Sequence, residues 1–276
     1  MKNRFAVLSL FFFMSCSSLQ VNYPLCEFPK HSPFPGGVIN KIVELSPSQV
    51  KAINKEKIYL CKVSKNQWRI LFPIKLSSET NSIISPFEEE KLLKVKIASK
   101  NYRESRINIE NQDLVTPPER YLERIKKESA LTREAMRVNS KMIHSSLKMT
   151  PPTLGVKSSE FGVKRFINDQ PRNRHTGLDI AAPIGTEITS PLSGRVVLVG
   201  DFFYRGKTVF LDHGGGLITT YSHMNKVVVN NGQFIRKNGP IGEVGKTGRV
   251  TGPHLHWQIV LFGVPVDPEL FLDLNF

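Results

Sequence analysis

The chain has 276 residues, 40 % hydrophobic and 22 % charged, enough for about two domains at roughly 100–200 residues each. That length and composition exclude a disordered chain, a collagen-like chain and a disulfide knot. The formal net charge of +14 is unevenly placed: residues 158–276 hold 12 Lys/Arg against 10 Asp/Glu, and residues 1–157 hold the other 26 and 14. Such a basic excess either favours an anionic partner (nucleic acid, anionic lipid or an anionic polymer) or is a solvated surface.

At the N-terminus two cations, Lys2 and Arg4, precede ten mostly apolar residues from Phe5 to Met14. The run is too short to cross a bilayer, which takes about 20 residues, and has the shape of a signal peptide over residues 1–15. Ser15-Cys16-Ser17-Ser18 places a cysteine behind a small residue. This resembles a bacterial lipoprotein lipobox, with Phe13 where leucine is usual. The resemblance implies lipidation of Cys16 and, through Ser17, an outer-membrane lipoprotein facing the periplasm. Plain secretion as a soluble periplasmic protein is the alternative. No later stretch is long and apolar enough for a transmembrane helix. Export implies an oxidising compartment. There Cys26 and Cys61 can pair or remain two free thiols, because sequence does not supply the geometry.

Residues 16–37 are polar and rich in Pro and Gly, and read as a tether. Residues 38–113 carry short β-branched runs such as Val38–Leu45, Lys57–Val63, Trp68–Phe72 and Leu92–Ile97, separated by polar turns, which predicts a small β-sandwich. Residues 114–157 change period. Thr116-Pro117-Pro118-Glu119 reads as a capped helix start, and the spacing predicts one long amphipathic helix over about 116–145, linking two domains. Pro151, Pro152 and Gly155 end it. His31 and His144 carry no evident chemistry.

From residue 158 to 276 the chain is β-rich and punctuated by glycine, which predicts a second, all-β domain. Five of the seven histidines fall here. His175 and Asp179 are four apart, so in extended chain they share a face. His254 and His256 flank Leu255, so in a strand both imidazoles face one way and Leu255 faces the core. His223 adds a fourth imidazole. Imidazole and carboxylate suit Zn²⁺, and three protein ligands would leave a position open for chemistry. There is no HExxH and no Gly-x-Ser-x-Gly elbow, and Cys26 and Cys61 lie outside this region, which disfavours other hydrolase classes. A carrier-domain hairpin is suggested by Pro191–Val197 but lacks the lysine turn.

With their flanks these residues are similar to the lysostaphin-type (LytM-like) zinc peptidases of bacterial cell walls. The motifs are Phe161-Gly162 with Arg165, His175-Thr176-Gly177-Leu178-Asp179, Asp212-His213-Gly214, Tyr221-Ser222-His223-Met224, Gly245-Lys246-Thr247-Gly248, His254-Leu255-His256-Trp257 and Val266-Asp267-Pro268. The resemblance covers about 158–272. It implies His175, Asp179 and His256 as ligands of one Zn²⁺ per chain, His223 and His254 as catalytic histidines, and His213 as structural. More loosely, the β-domain, Tyr102–Ile109 and the helix look like envelope members of diderm bacteria. The implied fold class is mainly β, with a small N-terminal sandwich, one linking helix and a C-terminal lysostaphin-type all-β peptidase domain. The implied partner is peptidoglycan, not nucleic acid, and no protein partner is readable. The implied reaction is zinc-dependent hydrolysis of D-alanyl–diaminopimelyl crosslinks. Glycyl-glycine cleavage, or a non-catalytic wall-binding lipoprotein that activates amidases, are the alternatives. In some relatives an N-terminal region covers the groove, and the basic first part of this chain could do the same.

Overall fold

The computed structural model describes residues 25–53, 58–87, 92–141 and 144–273. The expected signal segment and Cys16 lie outside the described residues. The chain is mainly β, as its patterning predicts. Among the described residues no helix is long and apolar enough to cross a membrane.

The N-terminal part begins with β1 (Val38–Glu44), α1 (Pro47–Ile53), β2 (Tyr59–Lys62) and β3 (Gln67–Pro73). β3 lies between β1 and β2 in an antiparallel sheet. β4 (Ile83–Ile84) and β5 (Val95–Lys96) form a second, two-stranded sheet. Ile39, Ile74, Val95 and Ile97 share one buried cluster, whereas Val38 joins the main core of the molecule. Successive side chains point to opposite faces, so the start of β1 is covered on both sides, while its end is exposed. A Cys26–Cys61 disulfide, with 5.9 Å between Cα atoms, ties the leading segment to β2.

β6 (Glu104–Ile107) leaves this part, and α2 (Gln112–Val115) and α3 (Glu119–Ala135) follow it. The expected 116–145 helix is therefore shorter at both ends. Pro118 restricts Pro117 to extended backbone, so the helix starts only after Pro118, which occupies the cap position without a side-chain hydrogen bond. Thr116 does not cap α3 but ends α2, donating its N–H to the Gln112 carbonyl. Beyond Ala135 the Ser140 carbonyl accepts the Gly215 N–H, which turns the chain along the next sheet.

β7 (Val156–Ser159), β8 (Lys164–Ile167), β9 (Gln170–Pro171), β10 (Leu178–Ala181), β11 (Glu187–Thr189), β12 (Gly194–Phe202), β13 (Gly206–Asp212), β14 (Leu217–Met224), β15 (Lys226–Val227), β16 (Phe234–Ile235), β17 (Pro240–Glu243), β18 (His254–Leu261) and β19 (Val264–Val266) complete the fold. The large sheet runs β16-β12-β13-β14-β18-β10-β7, with β19 paired to β18, and β11-β17-β15 form a small sheet. One face buries Val209, Leu211, Tyr221, Leu255, Trp257 and Ile259. The other buries Phe210, Ile218 and Val260 beneath Ala135 of α3. β14 is buried along its whole length and β18 over all but His254, although Thr219, Thr220, Ser222 and Gln258 interrupt their apolar residues. α3 is fastened to β12 where the Glu128 carboxylate accepts the Phe203 N–H at 2.7 Å. β6 pairs in parallel with β8, Glu104 opposite Lys164 and Ile107 opposite Ile167.

Candidate metal centre and its cleft

β18 lies between β10 and β14, and this register assembles the centre. His256 stands opposite Asp179 on one side and Ser222 on the other. Leu255 is fully buried in the core, so the alternation read from His254-Leu255-His256 holds. His175 lies just before β10, and the β10–β7 register slips at Asp179, a bulge of the kind that re-aims a side chain.

Three donor atoms converge. His175 Nε2 is 2.9 Å from Asp179 Oδ1 and 3.0 Å from His256 Nδ1, and His256 Nδ1 is 2.8 Å from Asp179 Oδ1. All three residues are buried, and together they form a group able to hold a metal ion. The His175 Nδ1 faces the Glu160 carbonyl at 2.7 Å. A carbonyl only accepts, so Nδ1 carries the proton and Nε2 presents its lone pair to the centre. Burial pushes the Asp179 carboxyl up, but the His175 and His256 imidazoles beside it outweigh that and hold the group well below the usual carboxylate range. A lone pair thus faces an ionised oxygen, and a cation among the three relieves that crowding. Tetrahedral ligands at about 2.1 Å from zinc stand about 3.4 Å apart, close to the observed triangle. Two imidazoles and a carboxylate are a zinc donor set.

Two further imidazoles face the same point. His223 Nδ1 lies 2.8 Å from the Thr247 carbonyl, and His254 Nδ1 lies 2.9 Å from the Gly252 carbonyl. Both therefore offer Nε2 inward. Their rings are 4.9 Å apart, and that of His223 is 6.0 Å from that of His256. His223 adopts φ +68°, the left-handed region, where a non-glycine residue marks a turn or stored strain. Burial, aided by His254 and His256, pushes its imidazole well down. Burial also pushes His256 down to about 3. The site residues named from the sequence, Cys16 apart, thus meet in one place. His213 does not join them: it is buried between the Ser193 carbonyl and the Thr219 hydroxyl.

Several neighbours support the centre in ways that their motifs alone do not reveal. A Cβ on Gly177 would sit 2.6 Å from His256 Cε1 and 2.8 Å from its Nε2, so that glycine is the seat of the imidazole. Arg165 donates to the second oxygen of Asp179. Gly206 (φ +60°) would drive a Cβ into Thr247, the residue whose carbonyl orients His223. The centre opens into a cleft of about 660 Å³. One wall is the Ile107–Pro117 segment, and the other carries Arg165, Arg172, Arg174, Arg205 and Arg249.

The sequence profile of Peptidase family M23 matches residues 173–268. Over 93 residues, 34 % of this chain and 22 % of the relative, the chain is 42 % identical to the peptidoglycan DD-endopeptidase ShyA of Vibrio cholerae. Over 111 residues, 40 % of this chain and 26 % of the relative, it is 37 % identical to the DD-carboxypeptidase/endopeptidase Mpg of Neisseria meningitidis. The chain thus spans about a quarter or less of the length of these curated relatives. A Pseudomonas aeruginosa crystal structure assigned to peptidase M23 is 31 % identical, with a TM-score of 0.64 over 87 % of this chain and 94 % of that one.

Proposed function

The chain belongs to peptidase family M23, and from that premise we propose that it is a zinc endopeptidase that hydrolyses the D-alanyl–diaminopimelyl crosslinks of peptidoglycan. The observation that carries the proposal is the triangle of His175 Nε2, Asp179 Oδ1 and His256 Nδ1, 2.8–3.0 Å on a side, at the wall of an open cleft. The relatives named as peptidoglycan endopeptidases support the substrate class.

His175, Asp179 and His256 would hold the zinc, which supplies Lewis acidity and makes water a nucleophile at neutral pH. The chain's own part is orientation and proton movement. The Glu160 carbonyl fixes the His175 tautomer, and Arg165 holds the Asp179 carboxylate in place through its second oxygen. His223 and His254 stand ready at Nε2. One takes the proton of the attacking water, and the other, protonated, donates to the developing oxyanion or the leaving amine. Depressed basicity keeps His223 neutral at pH 7, with the Nε2 lone pair free for a proton.

The domain reading goes with this function. Residues 38–113 form a β unit, 114–157 a linker and 158–276 the peptidase. Residues 1–15 direct export, and Cys16 carries the lipid that holds the protein at the periplasmic side of a membrane. A Cys16→Ser variant that still partitions with membranes after cell lysis would overturn the anchor.

The test is metal analysis with digestion of purified peptidoglycan by the full chain beside His175→Ala. The expected result is about one zinc per chain and conversion of dimeric muropeptides to monomers in the wild type only. Zinc-free wild-type protein, or glycine fragments in place of monomers, would overturn the metal or the bond.

A further inference from the structure

The cleft beside the metal centre is lined by five arginines and no acidic side chain. Among the described residues only Arg165 of the five is paired with a carboxylate, that of Asp179. Arg205 is held by neutral groups, the Ser222 hydroxyl at 3.4 Å and the Gln258 amide oxygen at 3.2 Å. Arg172 and Arg249 are the unusual pair. Arg172 Nη2 donates to the Val115 carbonyl at 2.7 Å and to Gln170 Oε1 at 2.6 Å, and its buried Nε has no partner. Arg249 Nη1 reaches the Leu114 carbonyl at 3.5 Å, and its guanidinium lies flat against Tyr204, 4.3 Å from the ring centre. Burial lowers the Arg249 guanidinium, and the nearby charges of Arg172 and Arg165 lower it further.

Two partly buried guanidiniums without a carboxylate partner, beside the charge of Arg165, are an unfavourable arrangement for a surface with no task. A guanidinium offers five donors in a fixed fork. Here the two forks are met by neutral acceptors, the Val115 carbonyl and the Gln170 amide oxygen for Arg172 and the Leu114 carbonyl for Arg249. A carboxylate accepts two parallel bonds and carries charge, and such bonds are about twice as strong as neutral ones. The carbonyls of Leu114 and Val115 come from α2, only four residues long.

We infer that Arg172 and Arg249, with Arg165 behind them, form a specificity subsite that takes a free carboxylate of the substrate next to the scissile bond, in the place now held by the Leu114 and Val115 carbonyls. The choice of substrate rests on the peptidoglycan reading, since stem peptides carry free carboxylates. The arginine geometry does not depend on it. Arg172 and Arg249 touch no group of the metal centre in the structure, so their effect falls on binding.

The test compares one crosslinked muropeptide dimer in two forms, with free carboxylates and with those carboxylates amidated, on the zinc-loaded full chain. The wild type is expected to favour the free acid about tenfold or more in kcat/KM, through KM. Arg172→Gln and Arg249→Gln are each expected to reduce that preference to less than about threefold. Arg172→Lys, which keeps charge but not the fork, should fall between. Equal wild-type use of the two dimers, or an undiminished preference in both variants, overturns the subsite. If the wild type cleaves neither dimer, the endopeptidase reading fails, and calorimetric binding of the same two dimers decides the subsite alone. A tighter free acid in the wild type, lost in Arg172→Gln, supports it, and equal binding overturns it.

Discussion

The two ends of this chain use β-structure in opposite ways. Residues 156–273 build one large sheet whose central strands are covered on both faces, and every imidazole of the metal centre hangs on that sheet or on a turn locked to it. Residues 25–107 build short sheets with several small clusters, reach the main core through Val38, Tyr59 and Leu71, and add staples, namely the Cys26–Cys61 disulfide and the Lys100–Asp267 ion pair to the other half. A continuous close-packed core can hold donor atoms to fractions of an ångström. A stapled assembly can hold a wall in place but not a coordination sphere. Damage to the large sheet should therefore appear as lost metal or lost rate, and damage to the stapled part as lost stability.

The sharpest contrast lies within the centre. Asp179→Ala is expected to lose both zinc and activity, by more than about a thousandfold in rate, whereas His223→Ala and His254→Ala keep near-stoichiometric zinc and lose about 10²–10⁴ in rate. Metal analysis beside muropeptide release reads both. Full zinc occupancy in Asp179→Ala, or apo-protein in His223→Ala, would break the division between ligands and proton carriers. Gly177→Ala comes next. The methyl group meets the His256 ring, so zinc affinity should weaken about 10–100-fold, as for lost support around a ligand, and competition with a chromophoric chelator would measure it.

On the stapled side, Cys26→Ala with Cys61→Ala releases a loop of 35 residues and should cost about 3–4 kcal/mol by loop entropy, read by denaturant unfolding, with zinc content unchanged. Zinc loss in this variant would mean that the two regions do not act separately. The smallest effect is a pH slope. Burial pushes His213 down to about 4, below its unfolded value of about 6.5. The unfolded chain then binds the extra proton first as the pH falls. The stabilisation is complete above about pH 6.5 and is lost towards pH 4, on the order of 2–3 kcal/mol. His213→Gln should flatten that part of the stability profile. An equally steep profile in the variant would assign the slope elsewhere.

What the sequence displays follows the same line. The alternation in His254-Leu255-His256 and the spacing of His175 and Asp179 are local patterns, and they survive because strands translate spacing directly into facing. The α3 start differs from the one its sequence suggests because Thr116 looks like a cap while Pro118 holds Pro117 extended. Gly177 as the seat for His256, the Arg172 and Arg249 contacts with Leu114 and Val115, and the pairing of β6 with β8 were not legible. Each joins residues far apart in the chain, and none leaves a mark on its own neighbours.

The parallel ladder between β6 and β8 also bears on how the molecule is made. Glu104 meets Lys164, 60 residues later, and Met149 bonds to Phe271 near the far end of the described chain. Contacts of such long sequence separation form late and slow folding. During synthesis from the N-terminus, β6 therefore waits with an open edge until its partner emerges. The cleft acquires its second wall only when nearly the whole chain is out, so a truncated or stalled product would expose an unpaired strand and form no complete cleft.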